Sequence, residues 1–193
     1  MTNIYKINER YYFKYLKKPA KVGNDELRIG YIFDKKEKKP VLILDVIRNF
    51  LKDYHRTMCC SEELERGNNK AILVLVDPMI FHLDFVYSRC GYTLLMHELG
   101  HYLNGDIKVE NSSLEQRRKE SLKNGVVLKE ELLADEFAIR ECGLNDFLKA
   151  IEYLEKIRTK ILKDSTYEKA MYEFKARKEH AIDFNKALEN TTN

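Results

Sequence analysis

No stretch of this chain approaches the roughly 20 consecutive apolar residues that a membrane-spanning helix requires. The longest aliphatic runs, residues 41–44 and 72–76, are strand-sized. The amino terminus lacks the apolar segment and small-residue cleavage site of a secretion signal. Cysteine is sparse: Cys59, Cys60, Cys90 and Cys142 show no repeated Cys-x-x-Cys spacing, which argues against a cysteine-based zinc site. Neighbouring Cys59 and Cys60 are poorly placed to bridge one another. Together these absences predict free thiols in a reducing cytoplasm. Charge of one sign is lacking too, since a formal net charge of +3 over 193 residues gives no argument for nucleic acid or an anionic membrane as partner. Lys14, Lys17, Lys18 and Lys21 follow the aromatic run Tyr11-Tyr12-Phe13, and Lys35, Lys36, Lys38 and Lys39 surround Glu37. Such clusters read as solvated faces of strands or helices rather than as a platform for single-stranded nucleic acid.

What is present is a globular composition, 44% hydrophobic and 34% charged, long enough for one substantial core. The patterning predicts an α+β protein with a single domain spanning residues 1–193. Residues 1–85 form an N-terminal α/β portion with a short sheet beside the central helix, and residues 86–193 a helical portion. Alternation of Ile29, Tyr31 and Phe33 suggests short strands within residues 1–36. Val46, Ile47, Phe50, Leu51 and Tyr54 recur at helical spacing, so a helix is expected from Pro40 or Asp45 to His55, with Pro40 suited to an early position. Residues 62–69 are polar and end in the turn sequence Gly67-Asn68-Asn69. A buried strand is expected over 71–76, and a short strand or loop over 79–83. A core helix follows from Val86 or Arg89 to Leu103, stopped by Asn104-Gly105. Ser113 and Gln116 are spaced as a capping box for a short helix through Lys123. Apolar residues at three- and four-residue intervals then mark three further helices, one ending near Cys142-Gly143, one over 144–161, and one from Thr166 whose last residues, 190–193, should fray.

The core helix carries the chemistry. His97 and His101 lie four residues apart, about 40° around a helix axis, so both imidazoles can converge on one ion. Glu98 stands beside the first, where a carboxylate can take a proton from a water activated on that ion. With five histidines in the chain, a chance His-Glu-x-x-His match is expected only about 0.01 times. Gly100, which weakens the helix, is explained by the close approach of another helix.

A catalytic zinc takes three protein ligands and keeps one position open. The extended pattern with a third histidine fails, because Asn104 and Ile107 occupy the relevant positions. The best third ligand is Glu131, followed one helical turn later by Asp135, which can accept the second ring N–H of a ligand histidine and fix its tautomer. Small Ala134 and Ala138 let this helix pack tightly. Asp106, just beyond the core helix, is the alternative ligand.

His97-Glu98-Leu99-Gly100-His101 followed by Glu131-Leu132-Leu133-Ala134-Asp135 resembles the gluzincin zinc metallopeptidases, with HtpX-like and ImmA/IrrE-like proteins as the nearest branches. The resemblance covers residues 94–138. It implies a zincin-like fold, Zn2+ held by His97, His101 and Glu131, Glu98 as general base, and Asp135 supporting the metal from behind a ligand. The expected function is hydrolysis of peptide bonds, in limited proteolysis of an intracellular or regulatory protein, with a protein or peptide as partner. The alternative is a catalytically silent zincin-like module for regulation or protein interaction. The oxyanion of the transition state needs a further donor, and Arg177, His180, Tyr167 and Tyr172 are the candidates. His55 and His82 read as structural.

Overall fold

A computed structural model of the protein describes residues 3–15, 20–22, 25–27, 29–36, 39–45, 58–66, 69–76, 89–106, 127–161 and 166–191. The chain divides into two compact units, Met1–Tyr92 and Thr93–Asn193. Strands in one unit and helices in the other make the protein α+β.

The first unit contains strands β1 (Asn3–Lys6), β2 (Tyr11–Tyr15), β3 (Ala20–Val22), β4 (Asp25–Leu27), β5 (Ile29–Asp34), β6 (Lys39–Asp45), β7 (Met58–Arg66) and β8 (Asn69–Val76). Six of them form one mixed sheet in the order β1-β2-β5-β6-β8-β7, while β3 and β4 make a separate two-stranded ribbon. All ladders are antiparallel except that of β6 with β8.

Alternation along β2 and β5 sorts the side chains by face. Tyr11, Phe13, Ile32 and Asp34 are buried. On the opposite face the cross-strand neighbours Tyr12 and Phe33 stack with ring centroids 5.2 Å apart. Asp34 therefore places a carboxylate on the apolar side, which is costly unless it is paired. Arg10 supplies the pairing, its Nε donating to Asp34 Oδ1 and Oδ2 at 3.0 and 2.9 Å, and the backbone N–H of Lys36 donates to Oδ1 at 2.8 Å.

One expectation is overturned in this unit. Residues 39–45 are strand β6, so a helix does not start at Pro40, and the stretch that would follow a start at Asp45 lies outside the described residues. The aliphatic residues 41–44 suit a strand, and β6 lies between β5 and β8. Pro40, which cannot donate to a ladder, sits where the pairing slips: Ile32 faces Leu42, but Phe33 faces Pro40. The polar residues 62–66 form the second half of β7, an edge strand of the sheet, where polar residues are tolerated. The buried strand expected over 71–76 is present within β8. The segments 79–83 and 113–123 lie outside the described residues.

Helix α1 (Arg89–Leu103) begins in the first unit and continues into the second. At its start, Arg89 Nη1 donates to the carbonyl of Ile7 at 2.7 Å, and the Tyr92 ring lies 6.2 Å from that of Phe13. Every residue from 91 to 101 is buried, as expected for a helix with apolar side chains all round.

The second unit adds α2 (Lys129–Cys142), α3 (Leu144–Ile161) and α4 (Thr166–Thr191), with α2 packed on α3 and α4, and α3 on α4. Gly143 separates α2 from α3 at φ 90°, a conformation open to glycine, and its N–H caps the carbonyl of Ile139 at 2.8 Å. On α3, Phe147, Ala150, Ile151 and Leu154 form the buried stripe. On α4 the buried residues are Ala170, Phe174, Arg177 and Ala181, so a guanidinium occupies a position where spacing calls for an apolar side chain. The carboxy-terminal fraying expected from residue 190 does not begin there, because α4 stays helical to Thr191, whose hydroxyl donates to the carbonyl of Leu188 at 2.8 Å. No helix among the described residues is long and apolar enough to cross a membrane.

Candidate metal centre

The second unit brings two ends of the sequence motif together. Gly100 removes the side chain at the point where α1 meets α2: a Cβ there would lie 3.0 Å from Ala134 Cα and 3.1 Å from the Ala134 carbonyl oxygen. Contact this close places the first turn of α2 over the histidine face of α1. Glu131 stands in that first turn, where the positive end of the helix dipole favours a carboxylate.

His97 Nε2 and His101 Nε2 lie 3.1 Å apart, and Glu131 Oε2 lies 3.4 Å from the first and 3.7 Å from the second. The two imidazoles meet edge to face, at 87°. A tetrahedral ion with bonds near 2.1 Å separates its ligand atoms by about 3.4 Å. The observed triangle brackets that length, so these three residues could hold a metal ion. All three sit in the interior, with the imidazoles and the Glu131 side chain no more than 12% exposed.

Each imidazole is held from behind by its own carboxylate. His97 Nδ1–H donates to Asp135 Oδ1 at 2.8 Å, and His101 Nδ1–H to Asp106 Oδ2 at 3.0 Å. With Nδ1 protonated in both rings, both Nε2 lone pairs face Glu131. Asp135 thus stands where its spacing from Glu131 predicted. Asp106, weighed as an alternative ligand, lies on the far nitrogen of His101 instead. It gets there through the turn after α1, in which Asn104 N–H bonds Gly100 O at 2.9 Å, Gly105 N–H bonds Tyr102 O at 3.0 Å, and Gly105 takes φ 82°.

Electrostatics follow from this packing. Burial presses the pKa of His101 down, but the hydrogen bonds to Asp106 and Glu131, with the nearby charge of Glu98, outweigh it and carry the group up to about 10. His97 behaves alike: burial opposes its charge, and Asp135 and Glu131 raise its pKa. Asp135 is fully buried, which would raise its pKa, yet Arg177 and His97 hold it below the usual carboxylate value. Glu98 is buried on α1 and close enough to His101 for its charge to be felt there.

The candidates for oxyanion donor separate. Arg177 Nε donates to Asp135 Oδ2 at 2.7 Å and its Nη2 to Oδ1 at 2.5 Å, behind His97. His180 pairs with Glu136 at 3.1 Å and stacks on Phe184, outside the triad. Tyr172 is 53% exposed, and the side chain of Tyr167 lies outside the described residues. Cys90 is seven residues before His97, about 10 Å along the helix axis.

Two features of the site were not recognised from sequence: Asp106 as partner of His101, and Arg177 as partner of Asp135. For Arg177 a signal existed, a lone cation in the apolar stripe of α4. For Asp106 there was none, because its position depends on a turn. Comparison with protein-family models and with curated proteins gave no match.

Proposed function

We propose that this protein is a zinc-dependent metallopeptidase of the gluzincin type, with a zincin-like fold, acting in limited proteolysis of a regulatory protein. The observation that carries the reading is the convergence of His97 Nε2, His101 Nε2 and Glu131 Oε2 beside Glu98. Two imidazoles and one carboxylate suit Zn2+ better than the all-oxygen sets of calcium or magnesium, and a three-residue set leaves a position for substrate. The ion, when bound, would supply Lewis-acid polarisation of a peptide carbonyl and acidification of a water molecule.

The chain does the rest. His97, His101 and Glu131 fix the ion, and Asp135 and Asp106 keep both rings oriented with Nε2 forward. Glu98 accepts the proton from the attacking water and returns it to the departing amine nitrogen. A site that only stored zinc would have no use for a carboxylate at position 98, so the intact Glu98 favours the enzyme over a silent interaction module.

The test compares wild type with Glu98→Gln for zinc content and for hydrolysis of a mixed peptide library. Equal zinc in both, with cleavage only by wild type, is the expected result. Cleavage by neither, at full zinc occupancy, favours the silent module; cleavage by both removes Glu98 from the mechanism.

A further inference from the structure

We propose that Arg177 is a positioning residue of the metal centre: by clamping both oxygens of Asp135 it fixes the carboxylate that orients His97, and so sets the affinity for the metal. This rests on the reading of His97, His101 and Glu131 as a metal site.

Arg177 comes from α4, an element that supplies none of the three metal-holding side chains, and only 6% of it is exposed. Burying a guanidinium is costly unless its donors are satisfied. Here Nε and Nη2 grip Asp135 at 2.7 and 2.5 Å, while Nη1 faces Glu173 at 3.6 Å and Glu131 at 3.9 Å. If the arginine served only to tie α4 to α2, the half-buried Glu136 would do as well as a partner, and at much lower desolvation cost. Instead it takes the fully buried carboxylate that also accepts the His97 Nδ1–H at 2.8 Å.

The geometry explains the choice. A carboxylate holding one imidazole N–H can still rotate about its last bond, and its oxygen then leaves the ring plane. A planar guanidinium bound to both oxygens stops that rotation. The chain of short contacts is Arg177 to Asp135 to His97 Nδ1, with Arg177 Nη2 itself 3.4 Å from that nitrogen and Nε2 on the ring's other side facing Glu131. Lysine is a poor substitute, because its ammonium is a point charge with rotatable donors and lacks the two parallel N–H groups that fix the carboxylate plane.

The experiment is a double-mutant cycle on zinc affinity, measured by chelator competition with the full chain: wild type, Arg177→Lys, Asp135→Asn and the double variant. Thermal midpoints of the metal-free proteins are recorded in parallel, to separate loss of affinity from loss of fold. Arg177→Lys is expected to weaken zinc binding about 10- to 100-fold, the range for partners that orient a ligand. In the Asp135→Asn background it should add little. Wild-type affinity in Arg177→Lys overturns the proposal, as does the same fold loss in both backgrounds. Where Arg177→Lys does not fold, the wild-type protein gives the answer by NMR. The Arg177 Nε–H resonance should shift on zinc addition, and a resonance that stays in place overturns the proposal. Tight zinc binding without peptidase activity would sink the enzyme reading and leave this one standing, whereas a wild type that binds no zinc overturns both.

Discussion

Gly100 and Ala134 touch backbone to backbone: a methyl group on Gly100 would stand 3.0 Å from Ala134 Cα, tighter than most such contacts. This contact brings the helix bearing Glu131 against the helix bearing His97 and His101.

Gly100→Ala therefore sets two effects against each other. Alanine improves the helix by about 1 kcal/mol, but overpacking against the α2 backbone, which must give way, costs about 1–3 kcal/mol. Net destabilisation is expected, with a lower urea midpoint. Zinc content should fall as well, because α2 must shift and Glu131 moves with it. A variant as stable and as zinc-replete as wild type would mean that the contact is looser than described.

Glu131 and Asp106 are both carboxylates of the site, and their removal should differ in degree. Glu131→Ala takes away one of three ligand atoms and should leave little bound zinc at chelator concentrations that wild type survives. Asp106→Asn keeps the ligand set and loosens only the orientation of His101, so a drop of about 10- to 100-fold is expected. Metal analysis after dialysis against a graded chelator series distinguishes them. The reverse order would make Asp106 the ligand.

A metal ion held by the triad would compete with protons for the two imidazoles. The pKa of His101 is raised from 6.5 to about 10, and that of His97 is raised as well. In the metal-free protein His101 stays protonated at neutral pH. Its contribution to stability is complete below pH 6.5 and is lost as pH rises through about 10. The thermal midpoint of the metal-free protein should decline over that window. Metal binding at pH 7 should release protons, that of His101 among them, and should tighten as pH rises. Calorimetry in buffers of different ionisation enthalpy counts them, and a release near zero would contradict the description of the cluster.

The four-residue interval between His97 and His101 needed nothing beyond the pitch of a helix, and Glu131 with Asp135 one turn later needed little more. The strand at 71–76 and the helices after residue 129 were equally local, since a periodic apolar pattern of sufficient length has one regular solution. Residues 41–44 were harder, because a continuous aliphatic run suits a buried strand or a buried helix. Only the pairing of β6 with both β5 and β8 decided between them.

Sequence by itself determined which residues could hold a metal ion, because donor type and helical spacing are properties of the chain. It could not determine which side chains stand behind those residues. Asp106 reaches His101 through a turn that depends on the left-handed conformation of Gly105, and Arg177 reaches Asp135 across 42 residues of chain because α4 packs on α2. Those partnerships lie between elements, where packing of whole helices sets the distances. The tertiary structure alone decided them, and with them the direction in which each imidazole points.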